Sequence, residues 1–122
     1  MVKIRKHNPV TYNLCTDTVT VYHKDGQTIR RAVHNRAFFD HKKTVNVDKT
    51  GSTESSGFLL VIPGDAQAVW PGDKIIRGEG PEVTPENYAM FIPGKVPGLV
   101  VADYVDVKYW AGQIVHTEAG GK

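Results

Sequence analysis

Cysteine and long apolar runs are the two features this sequence most clearly lacks. Cys15 is the single thiol, so no internal disulfide forms, and the chain has no Cys-based zinc pattern. This usage is typical of a protein made in a reducing cytoplasm. No stretch approaches the roughly 20 apolar residues that a membrane-spanning helix requires. Residues 1–6 lack the apolar core of a signal peptide, so we expect neither membrane insertion nor secretory export.

Recognisable catalytic and metal-binding patterns are missing as well. The sequence has no glycine-rich phosphate loop and no serine nucleophile motif. Asp103 and Asp106 fall on opposite faces of one predicted strand, so they form no acid–base pair there. Among five histidines no pair has metal-site spacing, although folding could bring His34 and His41 together. We therefore predict no enzyme: no catalytic residue, no metal ligand and no cofactor.

Composition indicates one ordinary globular domain. The chain has 122 residues, of which 40% are hydrophobic and 23% charged. This composition is too apolar for a disordered chain, and this length is typical of a domain with a single hydrophobic core. The net charge is only +2, and no long Lys/Arg run appears, so the basic patch of a typical nucleic-acid binder is absent.

Period-two alternation is the main structural signal. Val19 and Val21 alternate with threonines and a tyrosine, which suits a half-buried strand. The Asp25-Gly26 pair then marks a hairpin turn. We predict a β-hairpin over residues 17–33. Further strands are predicted at 44–48, 58–62 (central, because it is apolar on both faces), 74–77, 99–107 and 114–116, with a short helix starting at Thr84.

These elements predict an all-β, single-domain β-barrel or sandwich. We expect five to seven short antiparallel strands, one long flexible loop and at most one short helix. Residues 1–16 form an N-terminal segment, 17–117 the β-barrel domain and 118–122 a disordered tail.

Residues 49–57 are predicted to be the long loop. The segment has no apolar residue and two glycines, and a polar loop of this length in a small domain usually serves function. We interpret it as a candidate channel or inter-subunit loop, ordered by a neighbouring subunit. Its residues are Lys49, Thr50, Gly51, Ser52, Thr53, Glu54, Ser55, Ser56 and Gly57.

The remaining candidate residues are predicted to form a protein interface. Trp70 and Trp110 are amphipathic aromatics of the kind enriched at binding hot spots, although core packing is the alternative for Trp70. The hairpin is expected to offer an edge to a neighbour. The full set is Val19, Val21, Tyr22, Ile29, Arg31, Trp70 and Trp110.

Residues 12–117 resemble the small β-barrel proteins of tailed-phage and prophage head–tail modules, of the head–tail stopper, head-completion or minor capsid type. The likeness rests on five motifs in order along the chain. They are Val19-Thr20-Val21-Tyr22, Ile29-Arg30-Arg31-Ala32-Val33, Phe58-Leu59-Leu60-Val61-Ile62-Pro63, Trp70-Pro71-Gly72-Asp73-Lys74-Ile75-Ile76 and Tyr104-Val105-Asp106-Val107.

The resemblance implies a virion protein that is assembled in the host cytoplasm. Stopper subunits form a homo-oligomeric ring below the portal and adaptor, retain packaged DNA and carry the tail. Residues 49–57, with their flanks Val45, Val47 and Phe58, would then line or plug the channel close to DNA. No single gating residue transfers from the family.

Two alternatives stay open at this point. A tail terminator or a capsid decoration protein would share the same small-barrel character. An OB-like nucleic-acid-binding barrel would need exposed aromatics beside basic residues, for which Tyr22, Arg30 and Tyr104 are the candidates.

Overall fold

The computed structural model describes residues 11–48 and 51–121, with side chains outside 43–56. Seven strands and one short helix follow one another along this part of the chain. The elements are β1 (Asp17–Asp25), β2 (Thr28–Asp48), β3 (Gly51–Pro63), β4 (Lys74–Arg77), α1 (Pro85–Tyr88), β5 (Val100–Val101), β6 (Tyr104–Trp110) and β7 (Gln113–Gly121). No described helix is both long and apolar enough to span a bilayer.

The predicted N-terminal hairpin is confirmed. β1 and β2 pair antiparallel from Asp25↔Thr28 onward, with Gly26 in the turn at φ 61°. Glycine adopts this left-handed conformation without the steric cost that a Cβ would bring. The register places Val21 opposite Ala32 and His23 opposite Arg30. Consequently the side chains that alternate in the sequence also share faces in the sheet.

All seven strands belong to one antiparallel sheet, ordered β5-β4-β1-β2-β3-β7-β6, which curls into a half-barrel. The all-β class predicted from alternation is therefore confirmed. β5 and β6 are neighbours in sequence but lie at opposite edges of the sheet. The chain between them links the two edges of the sheet. The Ala102 amide donates a hydrogen bond to the Asp73 carbonyl, just before β4, and the Asp103 amide donates one to the Gly120 carbonyl of β7.

The interior of the half-barrel is the main core. Val19 and Val21 of β1 point into it, as does Ile75 of β4. Burial of this many aliphatic and aromatic side chains is the dominant stabilising contribution in such a fold. The buried members are Val19, Val21, Ala37, Phe39, Phe58, Leu60, Ile62, Val69, Ile75, Val100, Ala102 and Ala119.

A second cluster covers the outer face of β1 and β4. Tyr22 is fully buried there against Phe91, with ring centroids 4.8 Å apart in an edge-to-face arrangement, and Leu99 completes the buried set. The Tyr22 hydroxyl donates to the Pro81 carbonyl at 2.7 Å. Residues 78–99, between β4 and β5, thus cross back over the sheet, and we call them the covering segment. They leave β1 buried on both faces.

Helix α1 lies within this covering segment and begins as predicted. Thr84 is the N-cap, and its side chain accepts a hydrogen bond from the Asn87 amide; Pro85 opens the helix. Lys74 of β4 anchors the far end, because its ammonium donates to the Tyr88 carbonyl at 2.6 Å and lies 3.8 Å from the ring centroid of Tyr88. Burial lowers the pKa of Lys74.

The prediction of a loop at residues 49–57 is wrong for residues 51–57, which begin β3. They pair with β2 in continuous antiparallel register, from Asp48↔Gly51 to Lys42↔Gly57. Lys49 and Thr50 lie outside the described residues. A lack of apolar residues favours a loop, but here the backbone pairing of β2 and β3 in the core continues into this segment without interruption. β2 and β3 are also longer than predicted, at 21 and 13 residues.

Two further predictions need correction near the C-terminus. Residues 118–121 of the predicted disordered tail extend the last predicted strand into β7; all four pair with β3, and 118–120 also pair with β6. Lys122 lies outside the described residues. Gly120 and Gly121 weaken the strand signal, but pairing on both sides compensates for poor intrinsic propensity. The single strand predicted over 99–107 is divided into β5 and β6, because the chain changes sheet edge at Ala102 and Asp103.

Candidate functional site

The long β2–β3 hairpin extends beyond the rest of the sheet. β1 pairs with β2 only as far as Ala37, and β7 pairs with β3 only from Phe58. Past Lys42 and Gly57, the two strands pair with each other and with no other described strand. We call residues 43–48 and 51–56 the arm. Six residues at about 3.4 Å each make it roughly 20 Å long.

Three of the predicted interface residues are not at the surface. Val19, Val21 and Tyr22 are buried in the two clusters, so their assignment to an interface is wrong. β1 carries them between β2 and β4, which leaves this part of the hairpin no free edge. The error arises because the sequence does not show that the segment after β4 covers the outer face.

Ile29 and Arg31 make contacts within the chain. Ile29 packs at the margin of the second cluster. The Arg31 guanidinium donates to the Gly80 carbonyl through Nε at 2.9 Å and through its terminal nitrogen, and it lies 3.8 Å from the Glu79 carboxylate. Both residues therefore hold the covering segment against β2.

The two tryptophans are partly exposed, as an interface role requires. Trp70 and Trp110 are each 37% exposed. Trp110 ends β6, the strand at one edge of the sheet, and Tyr104 and Tyr109 on the same strand are 51% and 62% exposed. Large aromatic side chains on an edge strand are suited to contacts with another protein.

Trp70 belongs to a group of polar residues at one end of the half-barrel. His23 Nδ1 lies 2.6 Å from Asp73 Oδ1, and Asp73 Oδ2 accepts a hydrogen bond from the Trp70 amide at 2.8 Å. The Trp70 ring centroid is 5.1 Å from that of His23 and 5.8 Å from the Arg30 guanidinium carbon. With His34 these four residues form what we call the polar corner.

The polar corner surrounds a cavity of about 240 Å³. The cross-strand pairs Val21↔Ala32, His23↔Arg30 and Val19↔His34 place its β1 and β2 members on the concave face. His34 Nε2 is buried without a hydrogen-bond partner in the described part of the chain, and burial lowers the pKa of this imidazole. The remaining walls are Gln67, Ala68 and the Trp70 ring.

Sequence reasoning missed the polar corner. His23 continues the interior alternation of Val19 and Val21, which is a usable signal, but Asp73 is 50 residues away. Nothing local indicates that β4 pairs with β1. Folding does not bring His34 and His41 together, because seven residues of extended β2 separate them by about 24 Å. Within the described ranges no three His, Cys, Asp or Glu side chains group as metal ligands do.

A second, apolar cleft of about 270 Å³ lies where residues 11–15 cross the outer face of β2, β3 and β7. Tyr12 and His116 are joined there by a hydrogen bond of 2.9 Å between the hydroxyl and Nδ1. Cys15 is buried at its margin, and desolvation raises the pKa of the thiol. A buried thiol with a raised pKa is a poor nucleophile.

No family model, curated protein or solved structure matches this chain. The candidate functional features of this chain are therefore the arm, the exposed aromatic side chains of β6 and the polar corner.

Proposed function

We propose that this chain is a structural subunit of a tailed-phage virion: a stopper that forms the ring between portal–adaptor and tail and helps to retain packaged DNA. The observation that carries the proposal is the arm. A small half-barrel that extends two strands about 20 Å beyond its other described strands holds them where a neighbouring subunit or a central channel can be reached.

The arm takes the place of the flexible loop expected from the sequence. An ordered hairpin reaches a channel axis at lower entropic cost than a loop that must be ordered on assembly. Residues 43–56 are mostly polar and carry no net charge, since Lys43 and Lys49 are balanced by Asp48 and Glu54. Such a surface tolerates nearby DNA without binding it tightly.

The exposed edge strand β6 supports a head-to-tail arrangement of subunits. A ring with rotational symmetry needs two different patches on each subunit. The Tyr104–Tyr109 side of β6 offers one patch, and the arm of the β2–β3 hairpin offers a second.

An OB-like nucleic-acid-binding role is less well supported. Its stacking face needed Tyr22, which is fully buried with its hydroxyl bonded to Pro81. A tail terminator or capsid decoration role remains an alternative of the same class, because it would use the same surfaces with a different partner.

The test is assembly of the full chain, alone and with the portal–adaptor complex from the same gene cluster. We expect rings by light scattering and negative-stain microscopy, with the chain on the tail-facing side of the adaptor. Rings that bind only tail tubes would indicate the terminator alternative. A chain that stays monomeric under both conditions would contradict the proposal.

A shortened variant tests the role of the arm separately. Lys42 and Gly57 lie directly opposite, so a two-residue Asn-Gly turn can replace residues 43–56. We expect this variant to fold and bind the adaptor but to leave a wider central opening. An unchanged opening would show that the arm does not reach the channel.

A further inference from the structure

We infer that the polar corner is a binding site for a small carboxylate. The site is a cavity of about 240 Å³ whose lining includes Arg30, His23 and His34 and no acidic side chain. It is built on the concave face of the β1–β2 hairpin and does not depend on the proposed virion role.

Arg30 supplies the cationic end of the site. Its guanidinium carbon lies 5.8 Å from the Trp70 ring centroid, and Arg30 is otherwise exposed. An aromatic ring against a guanidinium restricts its position while leaving in-plane N–H donors available. That fork matches the two oxygens of a carboxylate.

His34 supplies an unsatisfied polar atom. The His34 imidazole lines the cavity, and its Nε2 is buried with no hydrogen-bond partner among the described residues. Buried polar atoms are nearly always paired in folded proteins, so an unpaired nitrogen in a ring that lines a cavity favours a partner that enters from the cavity. When Nε2 of His34 carries a proton, it can donate a hydrogen bond to a carboxylate oxygen.

His23 and Asp73 hold the rest of the wall in place. Asp73 is almost completely buried, with one oxygen against His23 Nδ1 and the other accepting from the Trp70 amide. Its charge is therefore already engaged, and it fixes both the His23 imidazole and the backbone of Trp70. The cavity is thus shaped before any ligand arrives, which reduces the entropic cost of binding.

The size and lining of the cavity limit the ligand. Pockets for drug-sized molecules start at about 300 Å³, so a nucleotide is too large for this cavity. Val21, Ala32 and Ala68 provide an apolar surface beside the polar groups. The ligand class that fits is a carboxylate on a body of a few carbons, either a free small acid or the Glu or Asp side chain of another protein.

The test is a titration of the full chain followed by NMR of the histidine side chains and the Trp70 indole. Benzoate is the free-acid probe, benzamide its uncharged isostere, and a Gly-Ser peptide with one central Glu represents a protein side chain. We expect benzoate to shift the His34 and Trp70 signals saturably, with a dissociation constant of about 1 mM. Benzamide should produce no saturable shift.

Two matched variants complete the test. Arg30→Gln should weaken benzoate binding about tenfold. Arg36→Gln removes the same charge from an exposed β2 position outside the cavity lining, so this control should bind benzoate like wild type.

The peptide distinguishes the two sources of the carboxylate. Tighter binding of the peptide than of benzoate would identify a protein side chain as the source, and the reverse would identify a free acid. Absence of saturable binding, or equal binding by benzamide or by Arg30→Gln, would overturn the inference.

Discussion

Gly80→Ala is expected to destabilise the fold strongly, because this glycine lies where the covering segment crosses β1. A Cβ at this position would overlap the Tyr22 hydroxyl and lie 2.8 Å from Ile76 Cγ2. The Gly80 backbone cannot move away easily. Its amide donates to Thr20 Oγ1 at 2.8 Å, and its carbonyl accepts from the Arg31 guanidinium.

The size of the effect follows from two contributions. Overpacking of a buried site costs about 1–3 kcal/mol. Displacing the Tyr22 hydroxyl also breaks its 2.7 Å bond to the Pro81 carbonyl, which contributes about 1 kcal/mol net. We therefore expect the free energy of unfolding to fall by roughly 2–4 kcal/mol, and Tm to fall by about 8–16 °C in a domain of this size.

Thermal and urea unfolding followed by circular dichroism measure this change. Gly94→Ala is the matched control, because a Cβ there meets nothing within 4 Å and Gly94 does not have positive φ. The control should stay within about 0.5 kcal/mol of wild type. Adding Tyr22→Phe should cost less in the Gly80→Ala background than in wild type, since the overlapped hydroxyl is then absent. Equal stability of Gly80→Ala and Gly94→Ala would show that the Gly80 site accommodates a methyl group.

Three further predictions concern the buried polar groups. Burial lowers the pKa of His34, so below about pH 6.5 the unfolded chain binds more protons than the folded chain, and the folded state loses stability as the pH decreases. Between about pH 7.5 and pH 5, the Tm of wild type should therefore drop more steeply than the Tm of His34→Gln. Parallel curves of Tm against pH would contradict this prediction. Asp73→Asn weakens the hydrogen bonds to His23 and to the Trp70 amide, so the free energy of unfolding measured by urea titration should fall by about 1.5–3 kcal/mol. An unchanged urea midpoint would show that these two hydrogen bonds do not stabilise the fold. The Cys15 thiol has a pKa raised by burial, so it should react with a thiol-specific disulfide reagent much more slowly in native than in denatured protein; equal rates would place it at the surface.

Local signals in the sequence are sufficient where one short segment determines the structure. Asp25-Gly26 predicts the first hairpin because a two-residue turn sets the register of both strands. Thr84-Pro85 predicts the helix start because capping involves only neighbouring residues. The class of the fold can be predicted for the same reason.

Predictions fail where pairing with distant strands decides the outcome. Residues 51–57 and 118–121 have the composition of loops, yet both are paired in the sheet. The burial of Tyr22 on the outer face of β1 depends on a segment that returns some 60 residues later. Alternation identifies the two faces of β1 correctly but cannot show that both are covered.

The polar corner lies beyond sequence reasoning for a related reason. Asp73 follows a Pro-Gly turn that looks like an ordinary strand start, and only the pairing of β4 with β1 brings it to His23. His34 and Ala37 share the interior because the β1–β2 register shifts between Asp17 and Val19. A β-bulge of this kind re-aims side chains and is not visible in a period-two pattern.

The topology separates the elements that stabilise the half-barrel from those available to a partner. The linked edges at β5 and β6 fix the curl of the sheet, while the arm extends past the points at which β1 and β7 stop pairing. Removing the arm deletes backbone pairs that support only one another, so it should alter assembly far more than Tm. A substitution at Gly80 acts in the opposite sense, because it disturbs the packing on β1 and leaves the arm untouched. The two changes together therefore test whether assembly and stability are carried by different parts of this chain.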